Sequence, residues 1–160
     1  MQIIEYEEKY LEDVRDLLVE LEQYIISIDY DHLDQLHPEY REKMAIKELE
    51  YAQKHQGKCY LALEKNKVIV LIICAIPPYD EYDYLDYKCP KRGRVTELIV
   101  TAKTRSKGVG QLLMKKLEDY FKAEGCQYIL IDVFGYNDNA IKFYFKQGYH
   151  AKMLTTIKKI

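Results

Sequence analysis

A short basic turn containing two glycines, residues 105–110, limits the possible fold and function of this chain more than any other stretch. It follows the apolar, strand-like run 97–100 and precedes a segment with strong amphipathic helical spacing. Amide hydrogens at the start of a helix have no partner within it, and the aligned peptide dipoles favour negative charge there. The glycines let the backbone approach a bulky anion, and Arg105 and Lys107 add positive charge. The turn therefore predicts a phosphate-binding pocket.

The gross composition excludes several classes of protein. A length of 160 residues fits one domain, 1–160, with a core of its own. A formal net charge of −2 argues against a protein that binds nucleic acid by neutralising phosphates. The acidic start of the chain predicts no secretory signal, and the longest apolar run, 68–76, is about half the length of a membrane span. We expect a cytoplasmic protein with no membrane or nucleic-acid partner.

The cysteines and histidines show no metal-ligand spacing. The four cysteines lie far apart, without a Cys-x-x-Cys pair, and the four histidines are scattered. We therefore expect no metal site and no disulfide framework. We expect the cysteines to be reduced thiols, as is typical of proteins in the cytosol.

Hydrophobic periodicity and turn residues predict the order β-α-α-β-β-β-α-β-α-β. Helices are expected at 7–27, at 38–54, from the glycine turn to about Gly125, and from Asn137 or Asp138 to Gly148. The expected strands are 2–6, 59–63, 68–76, 95–101, 128–134 and 149–157. This order predicts one α/β domain with a mixed sheet.

Three local motifs in this order resemble those of the GNAT superfamily of acetyl-CoA-dependent N-acetyltransferases. They are Leu98-x-Val100 with Arg105-x-x-Gly108-x-Gly110, then Asn137-x-x-Ala140-x-x-x-Tyr144, then Gly148-Tyr149. The resemblance is clearest from 94 to 150, and Tyr149 replaces the usual Phe. It implies a single-domain, mixed and mostly antiparallel sheet of about six to seven strands flanked by four helices.

The resemblance also implies a coenzyme site. Backbone N–H groups of 106–111 would hold the pyrophosphate of acetyl-CoA, a co-substrate that needs no metal. The main chain of 98–100 would pair with the pantetheine arm like an added strand, in a slot opened where the strand 128–134 diverges. The implied coenzyme-binding residues are Leu98, Ile99, Val100, Arg105, Ser106, Lys107, Gly108, Val109, Gly110, Gln111, Asn137, Ala140 and Tyr144.

Tyr144 is the candidate general acid. A phenol with a pKa of about 10 can protonate a departing thiolate without ionising at neutral pH. The position matches the tyrosine of the family motif, although packing of the ring in the core would also explain it. Asn137 similarly has two interpretations, as a helix cap and as a partner of the pantetheine amides.

Two carboxylates are candidate general bases, because an ammonium must lose a proton before it can attack. Asp132 lies at the position where family members that acetylate protein N-termini carry a Glu that acts as the general base. The side chain of Asp is shorter than that of Glu. Glu97 lies at the entrance of the preceding strand and would act directly or through a water. For either residue, a strand-end ion pair or a solvated carboxylate is the alternative.

The loop 79–87 interleaves four tyrosines with four acids. It is either a solvated loop or a wall for a cationic amine, to which Asp29 and Asp31 would add carboxylates.

These observations predict an acyltransferase that moves the acetyl group of acetyl-CoA directly to a primary amine within a ternary complex. The alternatives are a non-catalytic acyl-CoA sensor or interaction module on the same fold, and a P-loop nucleotide binder. The second is disfavoured because Gly110 is not followed by Lys and Ser or Thr. The acceptor stays open, as does the choice between a monomer and a homodimer.

Overall fold

The longest apolar run forms the central strand of the sheet. This strand, β3 (Lys67–Ala75), is buried along nearly its whole length. In the computed structural model, which describes residues 1–104 and 108–160, helices cover both of its faces. A strand covered on both faces needs apolar side chains at successive positions, which explains why the run shows no alternation.

The five strands lie in the order β1-β2-β3-β4-β5. Neighbouring strands are antiparallel except for the last pair, which is parallel, so the mixed and mostly antiparallel sheet is confirmed. Lys65 and Asn66, both with positive φ, make the tight turn between β2 and β3. The remaining strands are β1 (Gln2–Glu5), β2 (Lys58–Glu64), β4 (Arg92–Val100) and β5 (Tyr128–Ile131).

In the described part of the chain, four α-helices flank the sheet, two on each face. Buried side chains of α1 and α2 pack with Leu71, Ile73 and Ile99 on one face. Those of α3 and α4 pack with Val70 and Ile72 on the other. The helices are α1 (Leu11–Ile28), α2 (Tyr40–Lys54), α3 (Val109–Ala123) and α4 (Asp138–Lys146), with single 3₁₀ turns at Glu8–Tyr10, Asp83–Leu85 and Ala102–Thr104.

The prediction of a sixth strand at 149–157 is wrong. The described residues form five strands rather than six or seven. Residues 150–160 are exposed, and no backbone hydrogen bond joins them to another described residue. A strand exists only where a neighbour completes its ladder, and an alternating pattern alone does not supply that neighbour. β5 also ends at Ile131 rather than at 134.

A β-bulge in β4 sets the geometry of the sheet beside β5. Val95 lies opposite Cys74 and Glu97 lies opposite Ile73, so Thr96 is an extra residue on β4. A bulge bends its strand and increases the local twist. The pairing of β4 with β5, which begins at Arg92, ends at Val95, directly before the bulge.

Close packing of β4 on α3 depends on Gly93. A Cβ atom at this position would overlap the ring of Phe121, which is almost completely buried. A buried aromatic ring cannot move aside without disturbing its other contacts.

We therefore expect Gly93→Ala to lower the free energy of unfolding by about 1–3 kcal/mol, measured by urea denaturation. The control is Gly135→Ala, because a Cβ at Gly135 would meet nothing within 4 Å. Equal stability of the two variants would contradict this packing.

Candidate active site

β5 ends at Ile131 while β4 continues, and we call the gap that this leaves along the outer side of β4 the slot. β5 pairs with β4 only from Arg92 to Val95, whereas β4 continues to Val100. Leu98 and Ile99 pair with β3 on one side, and no described strand pairs with them on the other. An extended chain could therefore pair with their main chain.

The first turn of α3 lies at one end of this slot. A Cβ on Gly110 would lie 3.3 Å from the Val100 side chain and 3.4 Å from that of Phe143, so α3 begins in close contact with β4 and α4. Gly108 precedes the helix with a φ of 76°, a left-handed conformation that suits glycine. Val109 and Gly110 are buried, whereas Gln111 is exposed.

Among the described residues, the N-cap of this helix leaves room for an anion. Gly108 has no side chain that could accept a hydrogen bond from the first-turn amides of α3. Arg105, Ser106 and Lys107, which the sequence also predicted for this site, lie outside the described residues.

Tyr144 lies at the buried face of α4. Its ring makes edge contacts with Phe143, at a centroid distance of 5.2 Å, and with Tyr149, at 5.7 Å. The pKa of the Tyr144 phenol is raised above its usual value, chiefly by burial, with additions from Tyr149 and Glu97. The phenol is therefore fully protonated at neutral pH. Tyr144 thus packs in the core and also holds a proton that it can donate.

Glu97 follows the bulge and carries an unusual carboxyl group. Burial raises its pKa to about 8, the nearby Glu48 adds to the shift, and Lys47 partly offsets it. Glu48 is itself buried, at 7% exposure, and its carboxylate lies 3.3 Å from the Lys47 ammonium. A carboxyl group with this pKa changes charge close to physiological pH, which suits a general base.

Glu97 and Tyr144 belong to opposite faces of the sheet. Glu97 lies two residues before Ile99, which packs among α1 and α2, whereas Tyr144 packs in the cluster beneath α3. The charge of Glu97 nevertheless raises the pKa of Tyr144.

Glu97 lines a cavity of ≈ 260 Å³ beside the slot. Asp132, the other predicted base, also lines it, but its carboxylate is 85% exposed and forms an ion pair with Arg94. Of the two candidates, only Glu97 is partly buried. The cavity is lined by Lys47, Glu48, Tyr51, Arg94, Val95, Thr96, Glu97 and Asp132.

Asn137 caps α4, as one of its two interpretations predicts. Its side-chain oxygen accepts hydrogen bonds from the Ala140 N–H and from the Tyr24 hydroxyl, each at 3.3 Å. The cap fixes the start of the helix that carries Tyr144. Ala140 packs on the same core cluster as Tyr144.

The acidic segments do not gather at the cavity. None of the described residues that line it comes from the loop 79–87. Asp29 is buried, and its carboxylate accepts hydrogen bonds from the N–H groups of Asp31, Leu33 and Asp34. Asp29 therefore holds the chain after α1 in place.

Sequence reasoning missed Glu48, Glu22 and Tyr40 near Glu97. The Tyr40 hydroxyl donates a hydrogen bond to Glu22, and the charges of both Glu22 and Glu48 raise the pKa of Glu97. The sequence could have indicated Glu48, because its helical spacing places it on the buried face of α2 with Ala45 and Ala52. An acidic residue on the apolar, buried face of a helix indicates a functional site.

Two further properties concern ions and membranes. Within 1–104 and 108–160, no group of three or more His, Cys, Asp or Glu side chains is arranged to hold a metal ion. No helix among these residues combines the length and hydrophobicity that a membrane crossing requires.

Comparison with known proteins identifies the family. Residues 15–149 match the model of the acetyltransferase (GNAT) family. A curated protein of Methanocaldococcus jannaschii, described as an uncharacterized N-acetyltransferase, is 36% identical over 63 residues. That match spans 39% of this chain and 40% of the relative.

Solved structures show the same fold over the whole chain. A tetramutant of the BH1408 protein from Bacillus halodurans superimposes with a TM-score of 0.85 at 17% identity, covering 100% of both chains. The aminoglycoside N-acetyltransferase AAC(6')-Iy, solved in complex with CoA, gives a TM-score of 0.69 at 16% identity over 99% of both chains. The fold, the slot and the family match agree, and the chain belongs to the GNAT family of acetyltransferases.

Proposed function

We propose that this protein transfers the acetyl group of acetyl-CoA directly to a primary amine within a ternary complex. One observation supports the proposal: a carboxyl group with a pKa of about 8 lies near enough to a protonated phenol for its charge to raise the pKa of that phenol. These are the two proton-transfer groups that aminolysis of a thioester needs. A non-catalytic acyl-CoA sensor on the same fold would need neither group.

Glu97 and Tyr144 divide the proton transfers. Acetyl-CoA supplies a thioester whose carbonyl carbon is open to attack. Glu97 accepts the proton that the amine nitrogen loses as the C–N bond forms. Tyr144 donates its proton to the sulfur as the C–S bond breaks. Return of the proton from Glu97 to solvent, and of one from solvent to Tyr144, restores both groups.

The coenzyme would lie along the slot. The first-turn amide groups of α3 would hold the diphosphate, and the main chain of Leu98 and Ile99 would pair with the pantetheine arm. Asn137 would act as a helix cap and position Tyr144 rather than contact the coenzyme, because its side-chain oxygen already has two donors.

The acceptor amine would enter the cavity beside Glu97. The two cationic side chains of its lining, Lys47 and Arg94, are paired with Glu48 and Asp132. Glu97 is the remaining carboxylate, and in its ionised form it attracts an ammonium group. The lining thus favours a cationic amine over an anionic acceptor.

The helix-start site is tested with two glycines at opposite ends of α3. Gly108 and Gly125 both have a φ of 76°, so alanine strains the backbone equally at each. We expect Gly108→Ala to weaken CoA binding about tenfold, because its Cβ would occupy space beside the diphosphate. We expect Gly125→Ala, with nothing within 4 Å, to leave it unchanged. Isothermal titration calorimetry measures both; equal losses would contradict the site.

The reaction is tested by release of free CoA thiol from acetyl-CoA with a panel of amines. We expect turnover with at least one amine, and expect Tyr144→Phe to lower kcat by about 10- to 1,000-fold while the Kd for CoA changes little. Saturable binding of acetyl-CoA without turnover on any amine would favour the sensor.

Tyr149→Phe is the matched control for Tyr144. The Tyr149 hydroxyl is buried without a hydrogen-bond partner among the described residues, so its removal should cost no stability. We expect kcat within about twofold of the unmodified enzyme. If both variants lost kcat by a similar factor, the loss in Tyr144→Phe would be due to packing rather than to proton donation.

The base is tested by the pH dependence of kcat/KM. We expect kcat/KM to rise with pH to a plateau above a pKa of about 8, and Glu97→Gln to lower the plateau about 100-fold or more. Asp132→Asn should change it far less, since that carboxylate is exposed and paired. A larger loss of kcat/KM in Asp132→Asn than in Glu97→Gln would instead identify Asp132 as the base.

Carbon-13 NMR of labelled glutamate carboxyls gives the Glu97 pKa without turnover. The signal that disappears in Glu97→Gln should titrate near pH 8. Because the native state holds this proton up to pH 8 and the unfolded chain releases it near pH 4.5, Glu97 lowers stability as pH rises between these values. The Tm difference between Glu97→Gln and the unmodified protein should therefore grow over that range.

A further inference from the structure

Three aromatic side chains from two distant segments of the chain form a cluster at the surface. The ring of Tyr136 lies nearly parallel to that of Phe134, at a centroid distance of 5.3 Å, and edge-on to that of Tyr30, at 5.4 Å. Tyr30 is 71% exposed and Phe134 is 45% exposed. Large apolar rings gathered at a surface are typical of a binding site. We call Tyr30, Phe134 and Tyr136 the aromatic cluster.

Hydrogen bonds hold the aromatic cluster in place. The Tyr136 hydroxyl donates to the Asp34 carboxylate at 2.8 Å, and the Asp34 N–H donates to the buried Asp29 carboxylate at 2.9 Å. The Tyr24 hydroxyl of α1 donates to the side chain of Asn137, the residue after Tyr136. These bonds join the chain after α1 to the chain before α4. The rings are therefore positioned before a ligand arrives, which lowers the entropy cost of binding one.

The two segments that carry the aromatic cluster are acidic and contain no lysine or arginine. Residues 16–40 include seven Asp and Glu, and residues 123–141 include three, although 24 of the 160 residues of the chain are Lys or Arg. No described Lys or Arg lies over a ring of the aromatic cluster. The face of an aromatic ring attracts a cation, and nearby carboxylates add to the attraction. The charge of this surface is therefore complementary to an organic cation.

The aromatic cluster lies next to the cavity that Glu97 lines. Asp132 lines this cavity, and Phe134 follows it by two residues, which span at most about 7 Å. On the other side, burial and then the charge of Asp34 raise the pKa of Glu22, and the charge of Glu22 adds to the burial that raises the pKa of Glu97. No ring of the aromatic cluster lines the cavity itself. A ligand that reaches both places must therefore be extended.

We propose that the aromatic cluster binds a second cationic group of the acceptor, so that the acceptor is an extended molecule with at least two amino groups. This inference rests on the proposed acetyl transfer. One amine lies at Glu97, loses its proton and attacks the thioester. The other amine keeps its charge and lies against the rings, with the Asp34 carboxylate beside it. The aromatic cluster thus selects a diamine over a monoamine of the same length.

The selection is tested with hexamethylenediamine and hexylamine, which share one carbon chain and differ in the second amine. We expect kcat/KM for the diamine to exceed that for the monoamine at least about tenfold, well above the factor of about two that two equivalent ends supply. Equal kcat/KM for the two amines would overturn the inference. Failure of both to react would contradict acetyl transfer to such amines, and the binding measurement below then decides on the cation site.

Single-ring variants locate the second cation. Tyr30→Leu and Phe134→Leu each replace an exposed ring by an aliphatic side chain, so both variants should fold. We expect each to lower the preference for the diamine at least about threefold. The matched control is Tyr84→Leu, because Tyr84 is 69% exposed among the acids of the loop 79–87. A preference lost in Tyr84→Leu and kept in the other two would place the second cation on that loop and overturn the inference.

Hexamethonium tests the site without turnover. It carries two quaternary ammonium groups on the same spacer and has no N–H that could be replaced by an acetyl group. We expect its titration to shift the aromatic NMR signals of Tyr30, Phe134 and Tyr136 to saturation, with a Kd that rises at least about threefold in Tyr30→Leu and stays unchanged in Tyr84→Leu. Absence of shifts in these rings at millimolar hexamethonium, or shifts confined to other tyrosines, would refute the site.

Discussion

The separation of β4 from β5 after Val95 is the constraint on which the candidate site depends. Within a regular parallel pair, every inward N–H and C=O of the two strands would be used by the ladder, and no chain could enter between them. The extra residue at Thr96 follows the last β4–β5 pair directly, at the point where the candidate site begins. The same bulge shifts the alternation of side chains, so that Glu97 and Ile99 lie on the face covered by α1 and α2 while Leu98 lies on the face of α3. This irregularity therefore decides which face of the sheet carries the candidate base.

The electrostatics of the site follow from its burial. An isolated carboxylate in a poorly solvated position is costly, and the protein lowers the cost by keeping Glu97 protonated up to a pKa of about 8. Glu48 would make ionisation still less favourable were its charge not partly balanced by Lys47 at 3.3 Å. Tyr144 is protonated for the same reason, since burial penalises the phenolate. The two groups thus hold protons of different acidity, which is a condition for an acid and a base to act in sequence.

Much of the fold was predictable because its signals are local. The uninterrupted apolar run of β3, the amphipathic spacing of α1 and α3, and the cap at Asn137 are each set within a few residues, and each is confirmed. The bulge at Thr96 was not predictable, because it depends on the register between β3 and β4 rather than on either sequence. Choosing between Glu97 and Asp132 needed tertiary structure, since their shielding from water differs only once α2 covers one and Arg94 pairs with the other. The segment 149–157 shows the converse case, in which the local pattern favours a strand but no described part of the same chain completes it.

The short length of β5 shapes the candidate site. A β5 extended to 134 would continue alongside β4 and close the slot, and it would also present a longer edge to unwanted partners. At four residues, Tyr128–Ile131, the strand pairs only with Arg92–Val95 of β4, and no described strand lies on the outer side of Leu98 and Ile99. The main chain of β4 is therefore open to an added chain at the end of the sheet where α3 begins.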